Sequence, residues 1–126
     1  MKLLRISLAV LTGLLFMPGF SQAEDVDSVL ARAKKDGKVV MLELGSVGCI
    51  PCEKMKPVME KLRVTYNDRL EVFFVDISRD GAVGRRFGVH FLPTQVFIDK
   101  AGKEFHRHVG FYAYDEIVPV LKTQGL

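Results

Sequence analysis

The stretch Lys38-Val39-Val40-Met41-Leu42-Glu43-Leu44-Gly45-Ser46-Val47-Gly48-Cys49-Ile50-Pro51-Cys52 decides the fold of this chain. Lys38 to Leu44 is a nearly continuous apolar run, the pattern of a strand buried on both faces. One carboxylic acid, Glu43, interrupts it. Gly45 to Gly48 reads as a short loop. From Cys49 to about Tyr66 the apolar residues recur at helical spacing, with Cys52, Met55, Met59, Leu62 and Tyr66 on one stripe. Glu53, Lys54, Lys56, Glu60, Lys61 and Arg63 fall largely away from it. Met55 and Met59 read as core filling. Pro51 lies in the first turn, where a missing N–H costs nothing, whereas Pro57 lies inside the helix and should kink it.

Leu70 to Asp76 (LEVFFVD) is a second buried strand, so strand, helix and strand imply a right-handed parallel crossover. Upstream, Val26 to Asp36 reads as a helix capped by Asp25 and ended by Gly37, with Val26, Val29, Leu30 and Ala33 on one face. Downstream, Asp80 to Phe87 forms a short helix stopped by Gly88. Thr94 to Ile98 is a third strand. The tight turn Asp99-Lys100-Ala101-Gly102 leads into Glu104 to Val109, polar at alternate positions as a sheet edge requires. Gly110 precedes a last helix, Tyr114 to Lys122. The chain is therefore expected to be α/β, a central four-stranded mixed sheet flanked by helices on both faces. The expected strand order is 70–76, 38–44, 94–98, 104–109.

The first 23 residues read differently. Lys2 and Arg5 precede an apolar run from Ile6 to Phe16, Pro18 and Gly19 break it, and Ser21-Gln22-Ala23 offers small residues for a signal peptidase. Residues 1–23 are thus expected to be a signal peptide and 24–126 one domain. The apolar run is short for a bilayer-spanning anchor, which is the alternative. No Cys follows the run, so a lipidated start is not indicated. Removing Lys2 and Arg5 from the 18 basic side chains leaves 16 against 15 acidic, a formal charge of +1. No electrostatic case for nucleic-acid binding remains. The expected location is periplasmic or secreted.

Export bears on the two cysteines. Exported thiol pairs are mostly structural staples, but a loop this small constrains the unfolded chain little. The Cys-x-x-Cys spacing points to redox chemistry or a metal site. Cys49 opens a helix, where unpaired N–H groups and the dipole stabilise a thiolate. One helical turn brings Cys52 within bonding range. Cys49 can then attack a substrate disulfide and Cys52 can resolve the mixed disulfide. Pro51 stiffens the turn.

These features resemble the thioredoxin family over residues 26–125. The resemblance rests on Cys49-Ile50-Pro51-Cys52 at a strand-to-helix junction, on Pro57, on Phe87-Gly88-Val89-His90-Phe91-Leu92-Pro93-Thr94, and on Val109-Gly110 before the last helix. It implies a thioredoxin fold and a cis Leu92–Pro93 bond facing the cysteines. Leu92, Pro93, Ile50 and Pro51 are then the candidate substrate-binding residues. It also implies that Glu43 stands where the family has a buried acid that relays a proton for the second cysteine. Burial would raise its pKa and suit it to acid–base work near pH 7. The alternative is a Glu43 that reaches solvent. This chain departs from the family at Gly48, where a Trp is usual, at Ile50, where a Gly is usual, and at Glu53, often a Lys.

Ile50 and Pro51 supply neither a His nor a positive charge to stabilise the thiolate strongly. Strongly oxidising relatives usually carry a His there, so by analogy with the family a reductase of protein disulfides is expected, re-reduced by a membrane electron donor and monomeric, with an oxidase or isomerase as the alternative. No cofactor is implied, because the dithiol itself carries the two electrons. A metal site formed by Cys49, Cys52, His106 and His108 is the competing class, since residues i and i+2 of a strand point the same way. Its spacing is unlike common zinc modules. A redox-inactive scaffold is a further alternative, against which the intact cysteine pair speaks. His90 is read as a loop residue, and Arg85 and Arg86 as solvated surface.

Overall fold

Four strands assemble in the order β2-β1-β3-β4. The computed structural model describes residues 24–126, and the expected leader 1–23 lies outside them. The elements follow the chain as α1 (Val26–Lys35), β1 (Val39–Gly45), α2 (Ile50–Thr65), β2 (Leu70–Asp76), α3 (Gly81–Arg86), β3 (Thr94–Ile98), β4 (Glu104–Val109) and α4 (Tyr114–Lys122). β1 runs parallel to β2 and antiparallel to β3, and β4 closes an antiparallel hairpin with β3. This is the expected strand order.

Local chemistry explains the boundaries. Asp25 caps α1 by accepting the Ser28 N–H at 2.8 Å, which satisfies one of the helix's unpaired donors. Gly37, at φ +66°, turns the chain out of the helix, a conformation glycine reaches without penalty. The Asp99 carboxylate accepts from the N–H groups of Ala101 and Lys103, both at 2.9 Å, and holds the β3–β4 turn. The regular pairing of that hairpin is interrupted opposite Phe97 and Ile98, where Phe105 is the extra residue. The strict alternation read for β4 fails there: Phe105 and His106 are both half-buried.

β1 is buried along its whole length because it is central. Val40, Leu42 and Leu44 pack on one face with Val26 and Ala33 of α1 and with Val83 and Phe87 around α3. Val39 and Met41 pack on the other with Met55, Met59 and Leu62 of α2 and Ile117 and Leu121 of α4. Helices thus cover both faces. The Met55 and Met59 side chains fill the core, as the stripe predicts. Glu43 and Gly45 belong to the α2/α4 face by the pleat, and Gly45 leads directly towards the cysteines.

Candidate functional site

Cys49 is the N-cap of α2, with extended backbone angles, and not its first helical residue. The difference has a chemical consequence. Its Sγ accepts the N–H of Cys52 at 3.3 Å, so a helix-end donor that would otherwise lack a partner points at sulfur. The same donor and the helix dipole are in place to stabilise a Cys49 thiolate when the pair is reduced. Pro51 occupies the first turn, where no backbone donor is needed.

Cys49 and Cys52 are joined as a disulfide with Cα atoms 5.2 Å apart. The two sulfurs are not equivalent. Cys49 is half-buried, and Cys52 is only 3% exposed. Cys52 rests over Gly45, the last residue of β1. A Cβ on Gly45 would lie 3.0 Å from the Cys52 sulfur and 3.0 Å from the Phe74 ring. The sequence places Gly45 in a loop; the structure makes it the strand's end and the floor beneath the pair.

Glu43 lies two residues before Gly45 on the same face. It does not reach solvent: its exposure is 0%, and neither carboxyl oxygen has a hydrogen-bond partner among the described residues. Burial pushes its pKa up from 4.5 to about 7, and the neighbouring Gln95 side chain pulls the other way. Desolvation is the dominant cause, since a charged carboxylate loses its hydration there.

The Leu92–Pro93 peptide is cis, and Pro93 is buried. The Thr94 hydroxyl donates to Phe91 O at 2.7 Å, and Gly110 N donates to Pro93 O at 2.8 Å. The loops 46–50, 91–93 and 110–111 therefore leave the same end of the sheet. They expose apolar side chains: Ile50 and Phe91 are each 72% exposed, and Val47 and Phe111 are also open to solvent. Val47 and Phe111 escape the sequence reading, and Phe91 enters it only within the family-like segment, because loop apolar residues carry no periodic signal. A concavity between Leu30, Lys34, Val40, Ile98 and Gly102 lies at the opposite end of the sheet. The cysteine pair thus sits on an open apolar rim, suited to an extended chain segment.

His106 and His108 are not brought to the cysteines. His106 Nε2 lies 3.1 Å from the Tyr112 hydroxyl, and the His108 ring stacks on Tyr112 at 3.8 Å with 8° between planes. Among the described residues no three His, Cys, Asp or Glu side chains gather as a metal site would require. His90 is exposed, as are Arg85 and Arg86. Gln95 goes unnoticed in the sequence, although a polar side chain inside the apolar run Thr94–Ile98 was the available signal.

A family model described as a thioredoxin-like domain matches residues 26–125. The chain is 30% identical over 97 residues to Thioredoxin H4 of Arabidopsis thaliana, covering 77% of this chain and 81% of that protein. It is 24% identical over 90 residues to chloroplastic Thioredoxin Y of Oryza sativa subsp. japonica, covering 71% of this chain but 53% of that protein, and so spans about half of that relative. A solved structure of a poplar thioredoxin h is similar with a TM-score of 0.68 at 21% identity, over 77% of this chain and 86% of that one. That likeness speaks for the thioredoxin fold. With the family match over residues 26–125 and a Cys49–Cys52 pair closed as a disulfide, the chain belongs to the thioredoxin-like domain family and is a thioredoxin-like redox protein.

Proposed function

We propose that this protein is an exported thiol–disulfide oxidoreductase that reduces protein disulfides through Cys49 and Cys52. One observation carries the reading: the sulfur that receives a helix-end N–H is the accessible one, and its partner is buried against Gly45. That asymmetry suits Cys49 to attack and Cys52 to resolve. The Cys49 thiolate forms a bond to one substrate sulfur and expels the other as thiolate, which takes up a proton. Cys52 then loses its proton to Glu43, attacks Cys49 and releases the second substrate thiol. The substrate disulfide gains two electrons, and the protein pair becomes a disulfide.

Glu43, with a pKa near neutrality, is matched to accepting and returning that proton. Ile50, Pro51 and Leu92 line the open rim and, together with the buried Pro93, bind the extended substrate segment. A membrane electron donor returns the pair to the dithiol outside the cytosol. The leader pattern of residues 1–23 supports export, and the absence of a His or a positive charge between the cysteines supports the reducing direction. The working unit is a monomer that needs no bound cofactor.

The reduction potential of the protein, measured by thiol trapping and mass spectrometry across dithiol and glutathione buffers, tests the direction. A reversible two-electron couple below about −230 mV is expected for a reductase. A value above about −180 mV points to disulfide formation or isomerisation instead. The absence of any reversible couple would remove the redox reading. Amino-terminal sequencing of the protein recovered from its native compartment tests export, with cleavage after Ala23 expected.

A further inference from the structure

Gln95 is 0% exposed in the middle of the sheet. It pairs with Glu43 of β1 on one side and with His108 of β4 on the other. Directly opposite residues of antiparallel strands share a face, so the three side chains form one row from the buried acid to the edge strand. Gln95 Nε2 donates to Gly110 O at 3.0 Å, and Gln95 Oε1 lies 2.9 Å from His108 Nδ1.

These two contacts determine the amide's orientation. A backbone carbonyl only accepts, so the NH₂ end must face Gly110. The reverse orientation would set two carbonyl oxygens against each other. Oε1 therefore faces His108, and Nδ1 must carry the hydrogen. The ring that donates it is held flat against Tyr112. One hydrogen of Nε2 is spent on Gly110. The other hydrogen is free, and the cross-strand neighbour on this face is the Glu43 carboxyl, whose two oxygens have no hydrogen-bond partner among the described residues.

We propose that Gln95 and His108 are positioning residues for Glu43: His108 locks the Gln95 amide, and the locked amide is the polar neighbour that keeps the buried carboxyl ionisable. Among the described residues the face receives Cys52 and Met55 from α2, Ile117 and Leu121 from α4, and Phe74 and Asp76 from β2, opposite Glu43 and Gly45. Of these Asp76 is charged, and its carboxylate accepts from the Ser78 N–H and hydroxyl. The effect of Gln95 on Glu43, which opposes the rise caused by burial, has the required sign. Beside His108 the titratable groups are Tyr112 and His106, and protonation of His106 is disfavoured by its burial and by His108. What the row does for catalysis rests on the proton-relay reading above; the positioning itself does not.

The experiment is a carbon-13 NMR titration of the Glu43 carboxyl in the oxidised protein, with Gln95→Leu, His108→Phe and the double variant. His108→Phe keeps a ring against Tyr112 and removes only the donor, so it gives a folded readout even where Gln95→Leu is poorly stable. Gln95→Leu is expected to raise the midpoint by about one pH unit. His108→Phe is expected to raise it by about half as much, and the double variant to match Gln95→Leu alone, because His108 acts through Gln95. An unmoved midpoint in Gln95→Leu or His108→Phe, or additive shifts in the double variant, would overturn the proposal. If the midpoint moves as expected while the pH profile of disulfide reduction stays in place, the positioning stands and the relay role falls.

Discussion

Gly45 and Cys52 are in contact across the junction of strand and helix: any Cβ at position 45 would sit 3.0 Å from the Cys52 sulfur. The same Cβ would meet the Phe74 ring at 3.0 Å, so neither neighbour can yield freely. Backbone conformation plays no part, because Gly45 is not among the glycines with positive φ. The glycine is required by space alone. Gly45→Ala is expected to destabilise the oxidised protein by about 1–3 kcal/mol, the usual cost of overpacking. Calorimetry at constant pH measures it, and an unchanged Tm would show that Cys52 moves aside.

The unequal burial of the two sulfurs separates their expected roles. Cys49→Ser should reduce insulin-disulfide reduction to background. Cys52→Ser should retain attack but lose release, and so accumulate mixed disulfides on Cys49 that mass spectrometry can identify. Turnover by the Cys49→Ser protein would end the assignment.

In the proposed relay Glu43 takes a proton, which requires its carboxyl to be ionised. With its pKa at about 7, the rate of disulfide reduction should rise with pH through neutrality and level off above it. Glu43→Gln should remove that limb, leave the rise to the thiols' own range near 8.5, and slow turnover at pH 7.5 by about a hundredfold. A profile identical to that of the parent protein would dismiss the relay.

The same group makes stability depend on pH. Between about 4.5 and 7 the unfolded chain has released the Glu43 proton and the folded protein has kept it. Folded stability should therefore fall as pH rises through this window and be flat above it, by up to about 3 kcal/mol from this one group. Urea unfolding of oxidised protein at pH 5 and pH 8 measures the difference. Glu43→Gln should abolish most of it, and an equal difference in both proteins would place its origin elsewhere.

Much of the architecture was legible because its signals are local. The apolar run of β1, the helical stripe of α2 and the capping Asp25 each report on a few neighbouring residues. Their ends differ by a residue or so in the structure, as at Cys49 and Gly45. There the boundary is decided by which backbone groups find partners, and neighbouring sequence does not encode that. The alternation read for β4 failed at Phe105, because the bulge arises from the pairing of two strands and has no signature in either alone.

The sequence by itself determined where Cys49, Cys52 and Glu43 stand, on a buried strand and at the start of the helix that follows it, since spacing and periodicity are properties of a single segment. Only the tertiary structure decided that Cys52 rests on Gly45, that Glu43 is wholly cut off from water, and that Gln95 and His108 line up beside it. Those relations depend on the register of three separate strands and on the packing of α2 against their common face. Register is settled only when the sheet closes and every buried polar group must find its partner from another segment of the chain.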